Sequence, residues 1–218
     1  MTVLQRLSPR AELVLINLIC FGPFAAMSIL GLMRRETILL YDDRRLYTIA
    51  AIELVCGTLA ILILRARGWK LRGFGLRFSM PQTIAGMLLY IGATIVISGF
   101  NRLVTLLTDF NAAALTTPVA SATWPAVLLL LAIDPIYEET FEVAYNVRAA
   151  ERNGAPFAIT LSAVIRLVCH AYQGPIAPLT ILPLGIIFAF VYWKWRRVWP
   201  LAVAHGAAGF FALAPQGG

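Results

Sequence analysis

An all-α, polytopic membrane bundle of about seven transmembrane helices follows from three properties of this sequence. Hydrophobic residues make up 60% of the 218 and charged residues 13%, roughly half the charge that a soluble domain carries on its surface. Apolar runs fall near 13–33, 47–64, 83–100, 122–137, 156–172, 176–193 and 198–213, and most approach the ~20 residues that cross a ~30 Å hydrocarbon core. The basic residues cluster in alternate loops between these runs, the pattern that membrane topology imposes. The expected organisation is one integral-membrane domain over 1–218, with a polar, motif-bearing core at 122–213.

The run at 13–33 lacks a small-x-small cleavage pattern after it, so it is expected to stay as a span and not to act as a signal peptide. The run at 47–64 carries Glu53, an acid expected to pair with a neighbouring helix because an unpaired carboxylate is costly in hydrocarbon. The loop at 65–82 interleaves Arg65, Arg67, Lys70, Arg72 and Arg77 with Trp69, Phe74 and Phe78. Cations beside amphipathic rings suit a cytoplasmic headgroup layer, so membrane lipid is the expected partner and nucleic acid is not. The run at 122–137 is expected to continue as helix to about 150, since Glu138 to Arg152 contains no Gly or Pro and the first breakers are Asn153-Gly154 and Pro156.

With the N-terminus in the cytoplasm, twelve Lys and Arg fall inside: Arg6, Arg10, Arg65, Arg67, Lys70, Arg72, Arg77, Arg148, Arg152, Lys194, Arg196 and Arg197. Five fall outside (Arg34, Arg35, Arg44, Arg45 and Arg102), where Glu36, Asp42 and Asp43 dilute the first four. The expected topology is N-in, C-out. Cys20, Cys56 and Cys169 all lie in apolar runs at no metal-ligand spacing, which argues against a disulfide framework or a zinc knuckle.

The polar residues inside the apolar runs carry the chemistry. Glu138 and Glu142 are one helical turn apart, with Glu139 and Asp134 beside that stripe, and Arg166 and His170 are one turn apart on the next run. The two runs form a hairpin about a tip near 151–156. Glu138 and His170 lie about 15 and 16 residues from that tip, so at 1.5 Å per residue they reach similar depth. Several carboxylates cannot all ionise in a low dielectric, so at least one is free to take a proton from water as a general base. His205, on the last run, is seven residues past Val198, and it reaches the same depth only if the hairpin tip projects beyond the bilayer. Two imidazoles and a carboxylate (Glu138, His170 and His205) also form a possible zinc ligand set. No His-Glu-x-x-His spacing supports it, so a divalent metal such as zinc, or none, both stay open.

These residues, over 134–210, resemble the three motifs of the CAAX protease and bacteriocin-processing (CPBP, or Abi) family of intramembrane proteases. The family's Glu-Glu-x-x-x-Arg matches Glu138-Glu139-Thr140-Phe141-Glu142-Val143, its Phe-x-x-x-His matches Arg166-Leu167-Val168-Cys169-His170, and its His-x-x-x-Asn or Asp matches His205-Gly206-Ala207-Ala208-Gly209. The continuation 171–175 and the dipeptide Trp199-Pro200 also look like the family. The resemblance implies an endopeptidase in a bacterial cytoplasmic membrane that hydrolyses a peptide bond of a membrane-associated, and in some members prenylated, substrate. It implies Glu138 as general base, His170 as its partner, His205 as oxyanion donor or water ligand, and Glu139 in a secondary role.

Four positions depart from the motifs: Val143 stands for the Arg, Glu142 for the preceding Phe, Arg166 for the second-motif Phe, and Gly209 for the Asn. Two of these look coupled, and Glu142 with Arg166 is expected to form a buried ion pair that restores the guanidinium lost at 143. Loss of the Asn removes an oxyanion donor, which in soluble proteases costs around 10² to 10³ in turnover. A catalytically impaired relative acting as a membrane scaffold or immunity factor is the alternative reading. A proton-coupled transporter using the same groups as a relay is a third, without the paired broken helices that would support it.

Overall fold

The computed structural model describes residues 7–33, 40–107, 119–170 and 177–214. Among the described residues the fold is all-α apart from two two-residue strands, β1 (Leu40–Tyr41) and β2 (Val119–Ala120), which pair in parallel. The helices are α1 (Pro9–Met33), α2 (Asp43–Ala66), α3 (Met80–Leu107), α4 (Trp124–Glu138), α5 (Asn146–Ala150), α6 (Ala155–Cys169), α7 (Ala177–Trp195) and α8 (Trp199–Leu213). A π-helical stretch, Glu139–Tyr145, joins α4 to α5 without a break, so the eight helices make seven helical rods. Each rod coincides with one apolar run of the sequence. Three of them, in α1, α2 and α3, are long and apolar enough to cross a membrane.

The exposed surface of these helices is apolar. On α3, Leu88, Ile91, Ile95, Leu103 and Leu106 are all at least half exposed. A soluble protein rarely leaves so continuous an apolar face bare, whereas lipid requires one. Together with the apolar rods, this face makes the chain an integral membrane protein.

Two clamps set the depth of the site. At one end, Asp43 in the first turn of α2 accepts hydrogen bonds from the Thr123 backbone N–H (2.6 Å) and hydroxyl (2.9 Å) immediately before α4. Helices α2 and α4 therefore start side by side and run parallel. At the other end, Glu12 on α1 takes the Arg67 guanidinium at 2.6 Å and the Trp69 indole N–H at 2.9 Å. The basic, aromatic loop is thus folded against the bundle: Trp69 stacks on Phe74 and tilts against Tyr145.

Helix α6 packs closely on α7 at Gly185, where an added Cβ would lie 3.0 Å from the Ala163 Cα. That approach leaves room for the buried side chain of Arg166, whose guanidinium sits 5.6 Å from the Phe188 ring centroid. An apolar groove of about 320 Å³ runs between α2 and α4, bordered by Gly57, Ile61, Tyr137 and Phe141, with Glu53 in its wall.

Candidate active site

The helix expected over 122–150 is continuous but not uniformly α. Its carboxylate-bearing part, Glu139–Tyr145, is π-helical. Such a wide turn strands backbone carbonyls, and π-bulges recur at functional sites for that reason. Here the stranded groups have designated partners. The Asn146 amide donates to the carbonyls of Phe141 (3.0 Å) and Glu142 (3.1 Å), and the Ser162 hydroxyl donates to the Glu142 carbonyl at 2.8 Å. Asn146 is itself held by a reciprocal amide pair with Asn17 of α1, at 2.7 and 3.0 Å.

Glu139 and Glu142 point at the same atom. Arg166 Nη2 lies 2.6 Å from Glu139 Oε1 and 2.7 Å from Glu142 Oε2, while Nη1 is 3.6 Å from Glu138 Oε2. The ion pair expected between Glu142 and Arg166 is present, but it is one edge of a larger cluster in which a single guanidinium serves three carboxylates. Glu139, Glu142 and Arg166 are sealed from solvent, with side-chain exposures of 0%, 0% and 2%.

Above this floor lies a rim of partly accessible groups. Glu138 and His170 are each 15% exposed, His205 18% and Asp134 19%. His170 caps the C-terminus of α6, and its Nδ1 lies 2.9 Å from the Arg166 carbonyl. A carbonyl only accepts, so Nδ1 carries the proton and Nε2 is left as an acceptor. That Nε2 faces Glu138 Oε1 at 4.0 Å, too far for a direct hydrogen bond. His205 on α8 reaches the same cluster: Nδ1 is 2.8 Å from Glu139 Oε1, and Nε2 is 3.3 Å from Asp134 Oδ2. Glu138, Glu139, Glu142, Arg166, His170 and His205 thus all meet in one place.

Two acids join them. Asp134 is one turn before Glu138 on α4, a spacing visible in the sequence that carried no separate assignment. Glu53 on α2 faces Asp134, which gives the pairing expected of it with a neighbouring helix. The parallel start of α2 and α4 explains this, since each acid lies ten residues past its helix start (Asp43 to Glu53, Trp124 to Asp134), about 15 Å along the axis.

The departures from the family motifs have structural counterparts. Val143 is fully buried and belongs to the apolar core. At Gly209 an added Cβ would come within 2.8 Å of Leu131 Cδ2, so Leu131 fills space that an Asn would need. Cys169 is buried. The metal set considered from sequence differs from the one the fold gathers. Among the described residues, Asp134, Glu138 and His205 bring ligand atoms within 4.8 Å of one another, and His170 is not in that group. The continuation at 171–175 lies outside the described residues.

A helical membrane bundle with acids and imidazoles from separate helices meeting at one partly accessible cluster defines the class. Residues 120–211 match the model of the family described as Rce1-like, type II CAAX prenyl endopeptidase Rce1-like, so this portion of the chain is similar to the CAAX proteases. No curated protein and no solved structure matches the chain. At family level the assignment is a CAAX-type endopeptidase, whose substrates are membrane-associated proteins.

Proposed function

We propose that this protein is an intramembrane endopeptidase that hydrolyses a peptide bond by water activated between Glu138 and His170. One observation carries the reading: two acceptors, Glu138 Oε1 and His170 Nε2, face each other at 4.0 Å on the accessible side of an otherwise sealed ion cluster. A water has two protons to donate, and at about 2.8 Å from each acceptor it satisfies both. Glu138 takes one proton as the oxygen attacks the scissile carbonyl carbon. The same carboxyl then returns that proton to the leaving amine as the C–N bond breaks, so the site is restored.

His205 is the oxyanion donor in this reading. Its Nε2 shares the space with Asp134, 3.3 Å away, so donation to the oxyanion must draw the imidazole from that carboxylate. Arg166 pairs with Glu139 and Glu142 and acts by positioning. The orientation proposed is N-in, C-out in a bacterial cytoplasmic membrane, with 1–218 forming one domain and the substrate delivered from the cytoplasmic side, prenylated or otherwise membrane-tethered.

The impaired-relative reading draws on Leu131 occupying the space beside Gly209, which leaves that wall of the site without an amide. Both readings meet the same test, in which a membrane-tethered peptide library is incubated with wild type, Glu138→Ala and His170→Ala. The hydrolase reading expects cleavage by wild type alone. Equal cleavage by all three sinks the residue assignment, and no cleavage by any of them favours the scaffold.

A further inference from the structure

We infer that Asp134 is a positioning residue for the oxyanion donor: it holds His205 with a proton on Nε2, and Glu53 of α2 in turn holds Asp134. The inference rests on the hydrolase reading above and gives a task to two acids which that reading leaves without one.

His205 stands between carboxylates on both sides of its ring. Its Nδ1 is 2.8 Å from Glu139 Oε1, and its Nε2 is 3.3 Å from Asp134 Oδ2. Glu138 Oε2 is a third acidic oxygen nearby, 3.8 Å from Nδ1. Glu139 is paired with Arg166 at 2.6 Å, so it is an ionised acceptor and Nδ1 carries a proton. A proton between Nε2 and Asp134 belongs either to the ring or to the acid, and Glu53 decides which. Glu53 is 2% exposed, lies in the wall of the apolar groove between α2 and α4, and is hydrogen-bonded to Asp134. Two carboxyl groups share such a bond only when one of them is protonated. The deeper one keeps the proton, since the charged neighbours of Glu53 are themselves acids, Asp134 and Glu138, and burying its charge among them costs most. Asp134 therefore stays ionised, accepting from Glu53 on one side and from Nε2–H on the other.

This arrangement gives His205 two N–H groups and a positive charge. Nδ1–H is committed to the sealed floor. Nε2–H belongs to the partly accessible rim, and its 3.3 Å contact is loose enough to give way to an oxyanion. Hydrogen bonds from a charged donor are about twice as strong as neutral ones. A charged imidazole thus offsets part of what is lost at Gly209, where Leu131 fills the space of a second donor.

The test reads the ring directly. Full-length protein labelled with ¹⁵N-histidine is placed in detergent micelles at neutral pH and its imidazole nitrogens are observed by ¹⁵N NMR. The chain has two histidines, so a His170→Gln sample isolates the His205 signals. Both His205 nitrogens should be protonated. In Asp134→Asn the side-chain amide donates to Nε2, so that nitrogen should appear unprotonated while Nδ1 keeps its proton. Asp134→Asn should also lower kcat about 10²-fold with KM unchanged, the mark of an interaction made only in the transition state. Glu53→Leu should lower kcat about tenfold, the worth of one hydrogen bond to a charged group.

An unprotonated Nε2 in the wild-type protein overturns the inference, and that spectrum decides even if Asp134→Asn does not fold. A kcat in Asp134→Asn equal to that of the wild type overturns it as well. A doubly protonated His205 in a protein that cleaves nothing removes the hydrolase reading and leaves this proton placement standing. An active wild type with an unprotonated Nε2 does the reverse.

Discussion

The floor and the rim of the polar cluster are both built from ionisable side chains and differ in completeness. On the floor, Glu139, Glu142 and Arg166 are sealed and make contacts of 2.6–2.7 Å. On the rim, Glu138, His170, His205 and Asp134 keep 15–19% exposure, and their contacts with one another are 3.3–4.0 Å. Close, dry ion pairs fix geometry, since breaking one leaves a charge buried without its partner. Loose, partly wet pairs leave room for a third body between them. Position in the cluster thus separates groups that hold the helices from groups available for chemistry, although all of them are acids, imidazoles or a guanidinium.

The largest effect should come from the rim. Glu138→Gln keeps the shape and removes the base, so cleavage should fall about 10²- to 10⁴-fold while thermal unfolding in micelles stays close to wild type. A parallel loss of rate and stability would erase the distinction between the two halves. Next, Arg166→Met on the floor should cost about 3–5 kcal/mol of stability, measured by unfolding in mixed micelles. Glu142→Gln should cost far less, because one guanidinium already serves three carboxylates. Equal costs for the two would mean a simple pair and not a shared centre.

A gain should also be obtainable on the rim. Gly209→Asn combined with Leu131→Ala clears the space and supplies an amide, and turnover should rise by up to about 10²-fold. An unchanged rate would mean that this wall does not face the reacting carbonyl. The smallest effect belongs to the π-helical stretch. Ser162→Ala removes one bond to the Glu142 carbonyl and should cost about 1 kcal/mol, read by the same unfolding assay, with the cleavage rate unchanged.

The helical rods were legible because an apolar run of bilayer length leaves the backbone no alternative to helix. The coupling of Glu142 with Arg166 was legible too, since two unexpected charges on facing helices have reason to meet. The π-helical stretch was not. No Gly or Pro marks it within 139–145, and two of the groups that support it come from other helices: Ser162, which bonds the Glu142 carbonyl, and Asn17, which holds Asn146. Asp134 carried a readable signal in its one-turn spacing from Glu138. Its link to Glu53 had none, because it depends on the Asp43–Thr123 clamp that sets the register of α2 against α4.

The central claim is that the rim activates a water molecule and forms no bond to the substrate itself. Single-turnover cleavage in H₂¹⁸O, with the new C-terminal carboxylate weighed by mass spectrometry, tests this most directly. The account predicts one ¹⁸O atom in that carboxylate in the first turnover. A first-turnover product carrying only ¹⁶O, with the label appearing later, would mean that a side-chain carboxylate attacks the carbonyl, and would contradict the account.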